Sequence, residues 1–277
     1  MMHKRVMGSA IKQVVTVCAA VVVSVVCVST ASFAQDKPFE PVVGQPGKDV
    51  VWVPTPPALV DRMMELAKVT PQDFVMDLGS GDGRNIIAAA KRGANAVGVE
   101  YNPEMVKLSQ KLAAEAGVAD KARFVEGDMF VADISKASVM ALFLLPSNML
   151  QLRDKFLNLR PGSRIVSNTF GIEGWTPDET STVGGDCSAW CNALLWIVPA
   201  KVEGTWQMPQ GALTLKQDYQ MVSGTLGTTP IANGRLRGET LTFQAGGAEY
   251  TAKVTGNRME GTMKSGAAST PWTATKN

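Results

Sequence analysis

Three alternate glycines, Gly79, Gly81 and Gly83, break the apolar run Phe74-Val75-Met76-Asp77-Leu78, and few architectures accept that interruption. The apolar run reads as a buried strand, and Asn85-Ile86-Ile87-Ala88-Ala89-Ala90-Lys91 after the glycines reads as a helix. A strand thus passes through a tight turn into a helix. Glycine is needed there because the backbone must take dihedrals that a Cβ penalises, and because a Cβ would hold a ligand away from the main chain. The turn is a cradle for something that lies against backbone.

The next unit sharpens this. Ala94-Asn95-Ala96-Val97-Gly98-Val99 reads as a second buried strand, and it ends in Glu100, 17 residues after Gly83. An acid at that tip is placed to accept hydrogen bonds from ribose hydroxyls. The glycine spacing is GxGxG with Asp77 ahead of it, unlike the GxGxxG of dinucleotide sites. The combination resembles motif I of class I S-adenosylmethionine (SAM) methyltransferases, with another Rossmann-type nucleotide binder as the alternative. That resemblance implies an α/β Rossmann-like domain with a mainly parallel sheet. It also implies SAM as cofactor, with Asp77, Gly79, Ser80, Gly81 and Gly83 at its methionine end and Glu100 at its ribose.

The first 34 residues are of another kind. Lys4, Arg5 and Lys12 precede an almost unbroken apolar run from Val14 to Val28, and Ser32-Phe33-Ala34 offers small residues at the positions a signal peptidase reads. The layout predicts a signal peptide over 1–34 and export to the periplasm, or an uncleaved anchor holding the body there. The remaining residues carry 24 basic and 25 acidic side chains, so the chain has no electrostatic footprint for nucleic acid. Cys187 and Cys191 are the one cysteine pair beyond the leader. In an oxidising compartment they can close a small disulfide, worth about 2 kcal/mol by loop entropy, or else pack as two free thiols. A structural zinc wants four ligands, so no metal is expected. The sole histidine, His3, lies in the leader, which excludes histidine catalysis from the mature protein.

Residues 35–48, rich in proline, glycine and charge, read as a linker. After them Thr55 can cap, and Pro56 or Pro57 can start, a helix from Ala58 to Lys68. Trp52, Val53, Pro54 and Thr55 are then a lip over cofactor or substrate. The run Val51-Trp52-Val53-Pro54-Thr55, the string from Asp77 to Arg84, and Phe143-Leu144-Leu145-Pro146-Ser147 together resemble the protein-lysine methyltransferases that act in mitochondria on membrane proteins, and their exported bacterial relatives. The resemblance covers about Asp49 to Ala200. It implies methyl transfer to an amine, protein lysine included, with a membrane-associated acceptor as one outcome.

Downstream, Ala122 to Glu126 reads as strand three, and Asp128 with Met129 matches the place where methyltransferases receive adenine. Ser138 to Leu145 is continuous and apolar, as befits a central strand buried on both faces. Its end should border the transferred methyl, so Pro146, Ser147 and Asn148 are the catalytic candidates. Gly171 to Asp186 reads as a loop, with Trp175 and Pro177 at the substrate mouth, or with Trp175 at least as readily in plain packing. Trp190 to Val198 reads as the last strand, closing a methyltransferase domain over 49–199.

Past Ala200 the composition changes, with 11 glycines and 13 threonines in 77 residues. Alternating runs such as Thr240-Leu241-Thr242-Phe243-Gln244, with hairpin signals at Asn233-Gly234 and Gly256-Asn257, predict a small antiparallel barrel or sandwich over 200–277. It can recruit substrate, dimerise or brace the sheet. The whole reads as a SAM-dependent amine methyltransferase. A small-molecule methyltransferase and a non-catalytic envelope scaffold that binds nucleotide are the alternatives.

Overall fold

The computed structural model describes residues 39–185 and 187–276, so the leader expected at 1–34 lies outside the described residues. One sheet holds β1 (Phe74–Leu78), β2 (Asn95–Glu100), β3 (Ala122–Glu126), β4 (Val139–Leu142), β5 (Arg164–Asn168), β6 (Glu179–Thr182) and β7 (Asn192–Ile197), in the order β3-β2-β1-β4-β5-β7-β6. The first five are parallel, and β7 runs against both its neighbours. Strand order reverses between β1 and β4, which opens a crevice at their carboxyl ends.

Two cores flank this sheet. Helices α1 (Pro57–Leu66), α2 (Arg84–Lys91) and α3 (Pro103–Glu115) bury Leu59, Met63, Ile86 and Val106 on one face, while α4 (Pro146–Leu157) buries Met149, Leu152 and Phe156 on the other. Strand β4, buried at every position, sends Val139 and Ala141 to the first core and Met140 and Leu142 to the second. This is why its sequence is apolar without alternation.

The second sheet is antiparallel and comprises β8 (Gly204–Met208), β9 (Gly211–Asp218), β10 (Met221–Leu226), β11 (Thr229–Pro230), β12 (Ala232–Arg237), β13 (Thr240–Ala245), β14 (Ala248–Thr255), β15 (Arg258–Ser265) and β16 (Ala268–Thr275). Pairing of β16 with β8 and of β9 with β10 closes it into a barrel, with β11 as a two-residue flap on β10. Closure removes the free strand edges. The interior is aromatic: Phe243 stacks on Tyr250 at 4.6 Å, and Trp272 meets both rings edge-on.

Some local expectations change. Gly256-Asn257 does form the β14–β15 hairpin, whereas Asn233-Gly234 lies within β12 at a register shift against β13. A Cβ on Gly234 would run into the carbonyl oxygen of Val222, so this glycine answers a close approach of strands rather than a turn. Part of the Gly171–Asp186 loop is in fact β6, a polar edge strand whose outward threonines and serine hid it. Thr55 does not cap α1, which starts from Pro56; its hydroxyl instead accepts from Asn168 Nδ2 at 3.3 Å. Trp175 is buried, stacked on Tyr219 of the barrel at 5.6 Å, and belongs to the contact between sheet and barrel rather than to a substrate mouth.

That contact is also ionic. Asp178, its side chain fully enclosed, accepts from Arg235 Nη2 at 2.7 Å and from the Ile197 N–H at 2.8 Å. Arg237 pairs with Glu179 beside it. Removing one partner of an enclosed pair strands the other, at a cost of about 1–3 kcal/mol. Urea unfolding of Arg235→Ala should therefore show a loss in that range, and Asp178→Asn should lose less, because its amide oxygen still accepts from Ile197.

Candidate functional site

The turn between β1 and α2 is left-handed at each glycine, with φ of +71° at Gly79, +55° at Gly81 and +81° at Gly83. Two N–H groups of the turn, those of Gly79 and Ser80, donate to the Val99 carbonyl at 2.8 and 3.1 Å, which ties it to the end of β2. Glu100 completes the tie. Its Oε2 accepts from the Gly81 N–H at 2.9 Å, and its Oε1 accepts from the Asn102 N–H at 3.0 Å. The glycines differ in what they face. A Cβ on Gly81 would stand 2.9 Å from Trp52 Nε1, within the cleft, whereas one on Gly83 would stand 2.5 Å from the Phe124 ring. Gly83 therefore serves helix packing and the start of α2, and it lies outside the cleft wall.

The cleft itself lies at the carboxyl ends of β1, β2 and β4. Its floor is the turn together with Glu100, Asp128 and Met129, and its roof is the chain from Gln45 to Thr55. The roof begins ahead of the domain boundary expected at 49. It is a folded hairpin: Gly44 N–H donates to the Trp52 carbonyl at 2.8 Å, Trp52 N–H to that of Gln45 at 3.0 Å, and Gly47 N–H to that of Val50 at 2.9 Å. Lys48 in the roof reaches Asp128 Oδ2 at 2.5 Å and lies over the Tyr101 ring at 4.9 Å. At the other end Arg84, paired with Asp82, donates from Nη1 to the Thr55 carbonyl at 2.6 Å. The last residues of the turn thus hold down the lip above it.

Carboxylates dominate the lining, with Asp49, Asp77, Asp82, Glu100 and Asp128 against Lys48 and Arg84. Asp77 is nearly inaccessible, and burial pushes its carboxyl well above the usual carboxylate range, with Glu100 and Asp82 adding to the rise and the Asn85 amide opposing it. Asn85 Nδ2 donates to Asp77 Oδ2 at 3.0 Å, while Asp77 Oδ1 has no protein partner. Such an orphan at a cleft wall calls for a cationic or donor group from a ligand. Ser80 Oγ beside it is likewise unpartnered. Asp128 behaves oppositely, since Lys48 and the Phe130 N–H hold its carboxyl below the usual range.

Of the residues expected to bind cofactor, Asp77, Gly79, Ser80, Gly81, Glu100, Asp128 and Met129 share this cleft with the lip residues Trp52 to Thr55. Pro146, Ser147 and Asn148 do not line it. Pro146 and Ser147 are exposed at the start of α4, and Asn148 is buried with its Nδ2 directed at the Asp49 carbonyl at 3.5 Å. Phe143, three residues earlier, is the part of that segment in the wall. Lys48, Tyr101, Asn102 and Met105 line the cleft without having been singled out by the sequence. Only Tyr101 and Asn102 carried a signal, by following Glu100 directly.

A family model described as the ANTKMT methyltransferase domain matches residues 77–179. A protein-lysine N-methyltransferase of Saccharolobus islandicus is 45% identical over 137 residues, which are 48% of this chain and 85% of the relative. This chain belongs to the SAM-dependent protein-lysine methyltransferase family. The adenine nucleotide translocase lysine N-methyltransferase of Mus musculus is 33% identical over 129 residues, and the match spans 46% of this chain and 56% of that enzyme. An RNA methyltransferase from Salinibacter ruber, solved with S-adenosylhomocysteine, is 47% identical, with a TM-score of 0.50 over 54% of this chain and 96% of that one. The methyltransferase cleft described above fits SAM on its own chemistry. Its lining is predominantly anionic and SAM carries a net positive charge; Asp77 Oδ1 and Ser80 Oγ await partners; and the Gly81 backbone is bare where a Cβ would meet Trp52. Asp77, Ser80 and Gly81 would hold the amino-acid end, Glu100 the ribose, and Asp128 with Met129 the adenine.

Two outcomes test this methyltransferase site. Gly81→Val forces a branched residue to positive φ, about 1–3 kcal/mol of strain, and pushes Trp52 aside, so calorimetric affinity for S-adenosylhomocysteine should fall by at least about tenfold. Asp77→Asn should lose about tenfold or more in affinity, the worth of one charge-assisted hydrogen bond. The native carboxyl must ionise to meet the ligand's ammonium, so wild-type affinity rises as pH climbs from the ordinary carboxylate range towards neutrality. In Asp77→Asn it stays flat there. Because folding raises this carboxyl's pKa, ionised Asp77 destabilises the free protein above the unfolded pKa. The variant should therefore melt higher at neutral pH.

Proposed function

We propose that this protein is an exported enzyme that methylates the ε-amine of lysine in a protein acceptor, the acceptors including proteins of the envelope. The observation that carries the reading is the acid-lined cleft at the β1–β4 crevice, with its unpartnered Asp77 carboxylate, in a chain 45% identical to a protein-lysine N-methyltransferase. The basic leader with its apolar run and Ser32-Phe33-Ala34 supports export. Among the described residues no helix is long and apolar enough to cross a membrane.

SAM supplies a methyl group on a sulfonium, already a good leaving group. The protein's share is alignment of donor and acceptor, exclusion of side reactions and an uncharged amine. Alignment falls to the glycine turn below and the roof from Gln45 to Thr55 above. Among the described residues the cleft lining offers carboxylates and no histidine, so the ammonium proton leaves to a carboxylate or to water. Carboxylates around the cleft attract a cationic side chain and bring it close before that proton is lost.

The Salinibacter ruber relative is described as an RNA methyltransferase, and a nucleic-acid acceptor would have to approach this cleft as a polyanion. Repulsion from the lining carboxylates and a near-balanced charge outside the leader oppose that, since phosphate neutralisation by Lys and Arg supplies most nucleic-acid affinity. A small-molecule amine would be admitted by the same chemistry.

Incubation of the purified protein with methyl-labelled SAM and an envelope protein fraction tests the choice. Acid-stable label should appear in one or a few proteins and map to methylated lysine, and it should vanish in Gly81→Val. Label confined to RNA or to small molecules would overturn the proposal.

A further inference from the structure

The wall that begins at Phe143 does not end in the cleft. The Phe143 ring stacks on Phe170, with centroids 5.9 Å apart and planes at 19°, and it also meets Trp190 at 6.0 Å and 60°. Each ring comes from the same end of the sheet: Phe143 follows β4, Phe170 follows β5, and Trp190 precedes the antiparallel β7. Phe143 lines the cofactor cleft, Phe170 is half-buried and Trp190 is 42% exposed, so one aromatic surface runs from the cleft wall out to solvent.

The chain holds these rings at some cost. Trp190 has φ of +53° and the neighbouring Thr169 has φ of +56°, conformations that bulky and β-branched residues seldom adopt. The Thr169 turn is fixed by the Phe170 N–H donating to the Asn168 carbonyl at 2.6 Å and by the Thr169 N–H donating to the Asn192 carbonyl at 2.7 Å. Trp190 sits inside the five-residue ring closed by the disulfide between Cys187 and Cys191, and that ring is anchored where the Val183 N–H meets the Cys191 carbonyl at 2.8 Å. Packing alone does not require an exposed tryptophan to be fixed in this way. A ligand that uses its face does.

We propose that Trp190, Phe170 and Phe143 form the acceptor subsite, and that the Cys187–Cys191 loop exists to present Trp190 to an alkylammonium side chain. This rests on the lysine reading above and makes it specific. The stem of a lysine passes Trp190 and lies along Phe170, and its ammonium, increasingly methylated, reaches the face of Phe143 in the cleft wall. Aromatic faces attract alkylammonium groups within about 6 Å of the ring centroid.

The test follows the indole N–H signal of Trp190, assigned as the one missing in Trp190→Phe, in protein saturated with S-adenosylhomocysteine. Nα-acetyl-Nε-trimethyllysine is added, and in parallel its neutral isostere ending in a tert-butyl group. The signal should move saturably with the cation and about fivefold less tightly with the isostere, the scale of a partly exposed cation–π contact. Trp190→Phe should keep most of the cation affinity, judged by calorimetry, and Trp190→Ala should lose it with S-adenosylhomocysteine affinity unchanged. The double variant Cys187→Ser with Cys191→Ser should bind the cation several-fold more weakly. Equal response to both compounds, no response, or an unchanged double variant overturns the proposal. A protein that labels no lysine yet shows the charge-dependent Trp190 shift leaves the subsite standing and removes the lysine reading.

Discussion

The cleft depends on one backbone arrangement, the left-handed turn from Gly79 to Gly83 tied to the end of β2. Its N–H groups would otherwise point into the crevice unpaired. Val99 and Glu100 take three of them, those of Gly79, Ser80 and Gly81, and so convert a flexible glycine stretch into a rigid floor. Glu100 consequently has two tasks. Each of its oxygens already accepts one backbone N–H, and each retains a lone pair for a hydroxyl in the cleft. The residue that would receive ribose is also the residue that shapes the turn, so loss of its carboxylate would disturb both.

From this floor the constraint spreads upward through Asp82 and Arg84. Arg84 opens α2, pairs with Asp82 and donates to the Thr55 carbonyl, which fixes the lip by a contact spanning 29 residues of sequence. The far end of the roof is held by Lys48 on Asp128. That ion pair is partly open to solvent and contributes little to folding. Its place matters more than its strength, because Asp128 is the residue that would receive adenine, and Lys48 would then have to share it. Roof and cleft floor are thereby joined through a single carboxylate.

How much was legible in the sequence follows from the range of the interactions. The glycine turn, the acid ending β2 and the buried run of β4 are local patterns dictated by backbone geometry and period, and they appear in the fold where the residues placed them. The barrel was legible as alternation, though not its closure, which is set by the pairing of β9 with β10 and of β16 with β8. Asn233-Gly234 misled because it carries the hairpin dipeptide at a bulge, where the glycine is demanded by the Val222 carbonyl of another strand. Trp175 stayed open between packing and a substrate mouth because its stacking partner, Tyr219, lies 44 residues away on the barrel. Lys48 could not be found at all: nothing within a proline- and glycine-rich segment says that it folds back onto Asp128.

Asp77 shows what such a site costs the free protein. A carboxyl buried at the end of a central strand, with one oxygen unpartnered, is the kind of group that stability alone would replace. The same burial makes it effective towards a cation, because water no longer screens the charge and the geometry is set before the ligand arrives. Trp190 repeats the pattern on the acceptor side, with a disfavoured backbone conformation maintained inside a disulfide-closed loop. On both sides of the cleft, a locally unfavourable arrangement falls on a group that faces the site. The stability that offsets it comes from elements remote from the chemistry: the two cores of the sheet, and a barrel packed against it through Trp175, Tyr219 and the enclosed Asp178.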